Sequence, residues 1–120
     1  MSSNTTQKTI GEAGECAAAD FLKARGMKIV ARNYHSRFGE IDIIAADNEY
    51  IVFVEVKTRR VNPIVSGVEA VDKRKQRKLR LTAELYLQQN ETFLQPRFDV
   101  IEVVHIQGMF EIKQHIQNAF

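Results

Sequence analysis

A chain of 120 residues has room for one core-forming domain, and its single cysteine, Cys16, excludes any internal disulfide. No stretch approaches the ~18 consecutive apolar residues of a membrane span, and the polar opening Met1 to Thr9 lacks the apolar run of a signal peptide, so the sequence predicts a cytoplasmic protein with no membrane partner. The net charge of +2 conceals a division: Lys57 to Arg80 carries nine Lys or Arg against Glu69 and Asp72, a local +7 that leaves −5 for the remainder.

In chain order, residues 1–9 read as a flexible tail and 10–120 as a single domain. Gly11 to Arg25 is predicted to be a helix, with Cys16, Ala19 and Leu22 along one apolar stripe, Ala18 and Phe21 widening it, and Gly26 as the stop. A lone Cys in such an Ala-rich pattern reads as a small core residue rather than a nucleophile. Glu12 and Glu15 near the start of this helix suit the positive end of its dipole. Met27 to Asn33 is a short strand whose Met27, Ile29 and Ala31 alternate with Lys28, Val30 and Arg32, and Tyr34 to Phe38 is a polar connection containing His35, Ser36 and Arg37. Neither His105 nor His115 has metal-ligand spacing to another His or Cys, so no zinc site is expected.

Gly39 to Arg60 (GEIDIIAADNEYIVFVEVKTRR) is the centre of the chain. Two runs rich in Ile, Val, Phe and Tyr flank the polar Asp47-Asn48-Glu49, the pattern of a β-hairpin. A turn centred between Asn48 and Glu49 makes partner numbers sum to 97, which sets Asp42 opposite Glu55 and Glu40 opposite Lys57 on one face, with opposed Cβ atoms about 5 Å apart. Like charges so close repel, and carboxylates on a half-buried face lose hydration. Lys57 supplies one positive charge for three acids. Oxygen-rich clusters of this kind are ligands for Mg²⁺ or Mn²⁺; a cross-strand ion pair of Lys57 with one acid, the others leaning into water, is the structural alternative.

Val61 to Gly67 reads as a loop, and about Glu69 to Gln89 as a second helix with Val71, Leu79, Ala83 and Tyr86 at helical spacing and Leu85 and Leu87 beside them. Lys73, Arg74, Lys75, Arg77, Lys78 and Arg80 spread positive charge around most of its first turns. Together with Arg59 and Arg60, this basic stretch directly after a carboxylate cluster suits a polyanion, and Arg59, Arg60, Lys73, Arg74, Arg77 and Lys78 are the candidate nucleic-acid contacts. A strand from about Arg97 to Ile106, a Gln107-Gly108 turn and a strand from Met109 to Lys113 complete the chain. Arg97 and Asp99 fit a structural salt bridge or a strand-edge charge.

The wording of the hairpin resembles the PD-(D/E)XK nuclease superfamily, with Asp42 and Glu55 matching the metal-binding acids and Lys57 the lysine. Ile41 stands where the superfamily often has proline. Gly39-Glu40-Ile41-Asp42, Phe53-Val54-Glu55-Val56-Lys57 and Arg97-Phe98-Asp99 resemble more closely a small bacterial family, the YraN-like proteins, which are similar to archaeal Holliday junction resolvases. The resemblance implies an α/β fold of restriction-endonuclease type, a mixed sheet flanked by helices in the order helix, strand, hairpin, helix, two strands. It implies a Mg²⁺- or Mn²⁺-dependent endonuclease acting on structured or branched DNA. Asp42, Glu55 and the Val56 carbonyl would hold metal, Lys57 would act on the water, and Glu15 would join from the first helix; Glu40 and Gln76 are weaker candidates. A homodimer is implied by the dimeric resolvases, with monomer left open, as are activation by a protein partner, a module that binds nucleic acid without cutting, and an adaptor for another protein.

Overall fold

The computed structural model describes the backbone of residues 3–60 and 71–120, and side chains of residues 9–60 and 71–120. The elements are α1 (Ser3–Ala24), β1 (Lys28–Ser36), β2 (Gly39–Ala46), β3 (Tyr50–Arg60), α2 (Lys73–Gln89), β4 (Gln95–Ile106) and β5 (Met109–Ile116). The five strands form one sheet in the order β1-β2-β3-β4-β5, antiparallel except between β3 and β4, which run parallel because α2 intervenes. This is the expected mixed α/β sheet, in the expected order of elements. Among the described residues no helix is long and apolar enough to cross a membrane.

Each helix covers one face of the sheet. Ala18, Ala19 and Leu22 of α1 pack on Ile43, Ala45, Val52, Val54, Ile101 and Val103, while Leu79, Ala83 and Tyr86 of α2 pack on Ile41, Ile44, Ile51, Phe53 and Val100. The central strands are therefore apolar on both sides, which is why β2 and β3 read as nearly continuous hydrophobic runs. Burying a side chain such as Leu22 or Ile44 completely is worth about 2 kcal/mol, and these two layers hold most of the fold's apolar burial.

Several boundaries differ from the sequence reading. The first helix starts at Ser3, taking in turns that composition assigned to a tail. It ends where expected: Gly26 at φ 88° lets its own N–H reach Lys23 O (3.0 Å) and the Met27 N–H reach Leu22 O (3.0 Å). Cys16 is exposed, contrary to its expected place on the core stripe, because two residues at about 100° each carry it round to the side opposite Ala18. In β1 a bulge between Ile29 and Ala31 leaves Val30 exposed and sends Ile29 to the α1 layer but Ala31 to the α2 layer, so the simple alternation fails. The predicted polar connection Tyr34–Phe38 is mostly strand. β1 continues to Ser36, which pairs with Gly39 across a tight turn at Arg37 and Phe38.

The predicted loop Val61–Gly67 and the proposed helix start at Glu69 lie outside the described residues. In the described chain, α2 begins after Asp72, whose carboxylate caps it by accepting from the Lys75 N–H at 2.8 Å. Both terminal strands are longer than expected, and Gln107 and Gly108, at positive φ, make the turn between them. Asp99 is fully buried in β4, in register with Val54. It accepts two hydrogen bonds from Arg97 (2.9 Å each) and one from the Asn118 N–H (3.0 Å), with His115 Nε2 at 2.8 Å. Burial pushes its carboxyl upward, but His115, Arg97 and Asn118 together hold it below the ordinary value. Arg97 and Asp99 are thus structural, as expected.

Candidate functional site

The hairpin register is the predicted one: Ile43↔Val54, Ile44↔Phe53, Ala45↔Val52 and Ala46↔Ile51 all sum to 97. Asp47 fixes it by accepting from the Glu49 and Tyr50 N–H groups (2.8 and 2.7 Å), which hold its carboxyl below the usual range. The paired register stops at Ile43↔Val54, however, and the expected rungs Asp42–Glu55 and Glu40–Lys57 are not made. Instead the Asp42 carboxylate takes the Val56 N–H (2.8 Å). At the same level Asn33, between Arg32 and Tyr34 in the ladder with β2, adopts φ 53°. Alternation breaks in both strands there: Ile41 packs in the α2 layer and Ile43 in the α1 layer. Asp42 therefore sits at a twist in the sheet, within reach of groups from both helices.

A cavity of about 150 Å³ opens at this point, lined by Gly39, Glu40, Asp42, Glu55, Lys75, Lys78 and Leu79. Glu15 reaches the same carboxylate from α1, its carboxyl within hydrogen-bonding range of Asp42 and 3.7 Å from Arg32. The approach of α1 depends on Gly14, one residue earlier, where a Cβ would stand 1.9 Å from Thr58 Oγ1. Burial, followed by the charges of Glu55, Glu15 and Glu40, pushes the Asp42 carboxyl up to about 7 against the opposing Val56 N–H. Burial likewise raises Glu15, despite Asp42 and Arg32. On the other side Lys75 Nζ lies 2.5 Å from Glu55 Oε1. Burial disfavours its ammonium, but Glu55, then Asp42 and Asp72, hold it above its ordinary value.

The predicted site residues are only partly gathered. Asp42, Glu55, Glu40 and Glu15 converge, and Glu15 rather than the exposed Glu12 is the one that does so. Glu40 pairs with His35 (Nδ1 to Oε2, 3.0 Å) instead of facing Lys57. Val56 follows Glu55 with its side chain in the α1 layer, and Lys57, half-buried, shares Glu55's side of the sheet by the strand pleat. Gln76 turns back on the chain, donating to the Val71 carbonyl (2.7 Å), and does not line the cavity. Lys73, Arg74, Arg77 and Lys78 lie exposed on α2, with Lys78 at the rim of the cavity beside Leu79. The two hairpin arginines face opposite sides of the sheet, Arg59 on the side of Glu55 and Lys57. Arg59 points its Nε toward Glu102 (3.9 Å), and Arg60 lines a separate cavity with Ile10, Gly11 and Thr58, because successive strand residues face opposite sides.

Two residues beside the site carry no distinguishing signal in the sequence. Lys75 was hidden in a run of six cations, although its spacing of four from the buried Leu79 places it on the inner edge of the helix. Glu102 stands in the apolar run of β4 at 2 % exposure, in register with Lys57, and its Oε2 has no hydrogen-bond partner among the described residues.

For a metal ion the available donors are the Asp42 and Glu55 carboxylates and the Val56 carbonyl, all hard oxygens. Among the described residues no three His, Cys, Asp or Glu side chains are grouped to cage an ion alone. The set fits Mg²⁺ or Mn²⁺, because Mg²⁺ typically takes one or two carboxylates and leaves its other positions to water and phosphate.

A family model described as "Uncharacterised protein family UPF0102" matches residues 14–103, three quarters of the chain. The chain belongs to the UPF0102 family. A UPF0102 protein of Symbiobacterium thermophilum is 53 % identical over 97 residues, covering 80 % of this chain and 82 % of its own. One from Alkaliphilus oremlandii is 46 % identical over 116 residues, covering 94 % and 98 %, and one from Dichelobacter nodosus is 43 % identical over 109 residues, covering 90 % and 86 %. The UPF0102 match spans Glu15, Asp42, Glu55, Lys57, Lys75 and Asp99. This is the family with which the YraN-like resemblance agrees.

Proposed function

We propose that this protein is a cytoplasmic, divalent-metal-dependent nuclease that hydrolyses phosphodiester bonds in structured or branched DNA. The observation that carries the reading is the convergence of Asp42 and Glu55 in one small cavity at a break in the sheet, with the cationic face of α2 beside it. Carboxylates crowded enough to push Asp42 up to about 7 are costly to the fold, and a binding surface for phosphates gains nothing from them.

Asp42, Glu55 and the Val56 carbonyl would hold Mg²⁺ or Mn²⁺. When bound, such an ion supplies Lewis acidity toward the phosphate and makes water a nucleophile near neutral pH. The Val56 N–H keeps the Asp42 carboxylate aimed into the cavity. Lys57, one strand period beyond Glu55, orients the attacking water and offsets negative charge gathering on the phosphate. Lys73, Arg74, Arg77 and Lys78 hold the flanking phosphates along α2. Glu15 tightens the acidic cluster from behind. No covalent intermediate with the protein is needed.

The test is cleavage of labelled duplex, single strands, flaps and four-way junctions, with RNA counterparts, in Mg²⁺, Mn²⁺ or EDTA, with Asp42→Ala and Lys57→Ala alongside. Metal-dependent cutting lost in both variants is the expected result. Tight binding without cutting on every substrate and metal would replace the nuclease by a binding module or by an enzyme that needs a partner. Sedimentation with and without the junction distinguishes a monomer from a dimer that pairs two sites on opposite strands.

A further inference from the structure

We propose that Lys75 is a built-in counter-cation of the acidic cavity: it occupies Glu55 in the metal-free protein, competes there with the divalent ion, and passes to the nucleic-acid phosphates when both arrive. The inference rests on the metal-dependent reading above and assigns a role to a residue that reading does not use.

The placement of Lys75 is strongly determined. Asp72 caps α2 through the Lys75 N–H itself, and the buried Leu79 one turn later orients this side of the helix toward the sheet. The ammonium consequently meets Glu55 Oε1 at 2.5 Å, inside the cavity that Asp42 also lines. Glu55 is 9 % exposed at its side chain, so its carboxylate has little water to lean on, and the Lys75 ammonium compensates it. Lys75 itself is 49 % exposed, at the cavity mouth, with Lys78 lining the same opening one turn along.

A divalent ion on the same carboxylate would stand about 4 Å from this ammonium, where the two positive charges repel strongly in a partly buried site. Each therefore weakens the other's hold on Glu55. The four-carbon lysine stem is flexible enough to swing the ammonium outward, toward the solvent side where Lys78 and Arg74 already present positive charge. A phosphate waiting there makes that swing favourable. Metal and nucleic acid are thereby coupled through one side chain, and the coupling is reciprocal: phosphates that draw Lys75 away raise metal affinity, and metal that evicts Lys75 raises affinity for phosphates. The arrangement also lets the acidic cluster fold without metal, since Lys75 neutralises part of it until then.

The experiment is a Mn²⁺ titration followed by electron paramagnetic resonance of the free ion, on protein without nucleic acid, comparing wild type, Lys75→Met and Lys78→Met. Both variants lose one positive charge at the same cavity, but only the first removes the competitor on Glu55. Lys75→Met is expected to bind Mn²⁺ about tenfold more tightly and Lys78→Met to change by no more than about threefold. Unchanged or weaker binding by Lys75→Met, or equal tightening in both variants, overturns the proposal while leaving the metal site in place. Absence of Mn²⁺ binding by wild type and Lys75→Met alike overturns the metal reading together with it. A second measurement needs no variant: Mn²⁺ should raise the rate of Lys75 acetylation by acetic anhydride, read by mass spectrometry against Lys73, several-fold in the wild-type protein. Bound Mn²⁺ that leaves Lys75 protected would equally refute the exchange, even if Lys75→Met did not fold.

Discussion

Replacing Asp42 by Asn separates the cost of an ionised carboxylate in the cavity from the hydrogen bond it makes. Asn cannot ionise, yet its amide oxygen can still accept from the Val56 N–H that Asp42 holds at 2.8 Å. In the folded protein burial first, then Glu55, Glu15 and Glu40, push the Asp42 carboxyl up to about 7, whereas in the unfolded chain it titrates near its ordinary value of about 4. The folded state therefore favours the neutral acid. That preference is fully present below about pH 4 and is lost as pH rises to about 7, beyond which it changes no further. Between pH 5 and pH 8 the loss amounts to about 2 to 3 kcal/mol, or roughly 10 °C in Tm for a protein of this size. Thermal melts in EDTA at the two pH values should show Asp42→Asn overtaking the wild type by that amount as pH rises. Adding Mg²⁺ at pH 8 should recover the wild type alone, because the ion takes the place of the proton. Parallel pH profiles in EDTA for the two proteins would refute the reasoning.

Gly14→Ala sets a methyl against Thr58, 1.9 Å from Oγ1 and 3.0 Å from Cβ, and should cost about 1 to 3 kcal/mol in urea denaturation; adding Thr58→Ala should recover part of it. Asp99→Ala leaves the half-buried Arg97 and His115 without their shared carboxylate and should cost about 3 to 5 kcal/mol by the same assay, while Mn²⁺ binding at low temperature persists. Lys78→Ala should weaken binding to all DNA sequences alike and lower the slope of log affinity against log salt by about 0.9, as one lost phosphate contact does; an unchanged slope would remove Lys78 from the interface.

Much of the fold was legible because it rests on local rules. The Asp47 turn set a hairpin register that holds in every rung made, and the break in basic and apolar patterning after Arg60 announced α2. Glu15, Asp42 and Glu55 could be named as companions from motif wording and strand period. What failed did so where a single residue departs from its period. The bulge at Val30 has no side-chain signal, and Asn33, a residue type that tolerates the left-handed region, occurs more often without adopting it; together they decide which layer Ala31 and Ile41 enter.

From the sequence alone followed the α/β class, the acidic hairpin and the basic helix, since composition, periodicity and turn chemistry act over a few residues. Only the tertiary structure decided that Lys75 meets Glu55, that Arg60 faces away from α2, that Cys16 lies outside, and that Glu102 is buried in register with Lys57. Those outcomes depend on how α1 and α2 seat against opposite faces of a twisted sheet. That seating sums many weak contacts between residues far apart in the chain, and no local pattern encodes it.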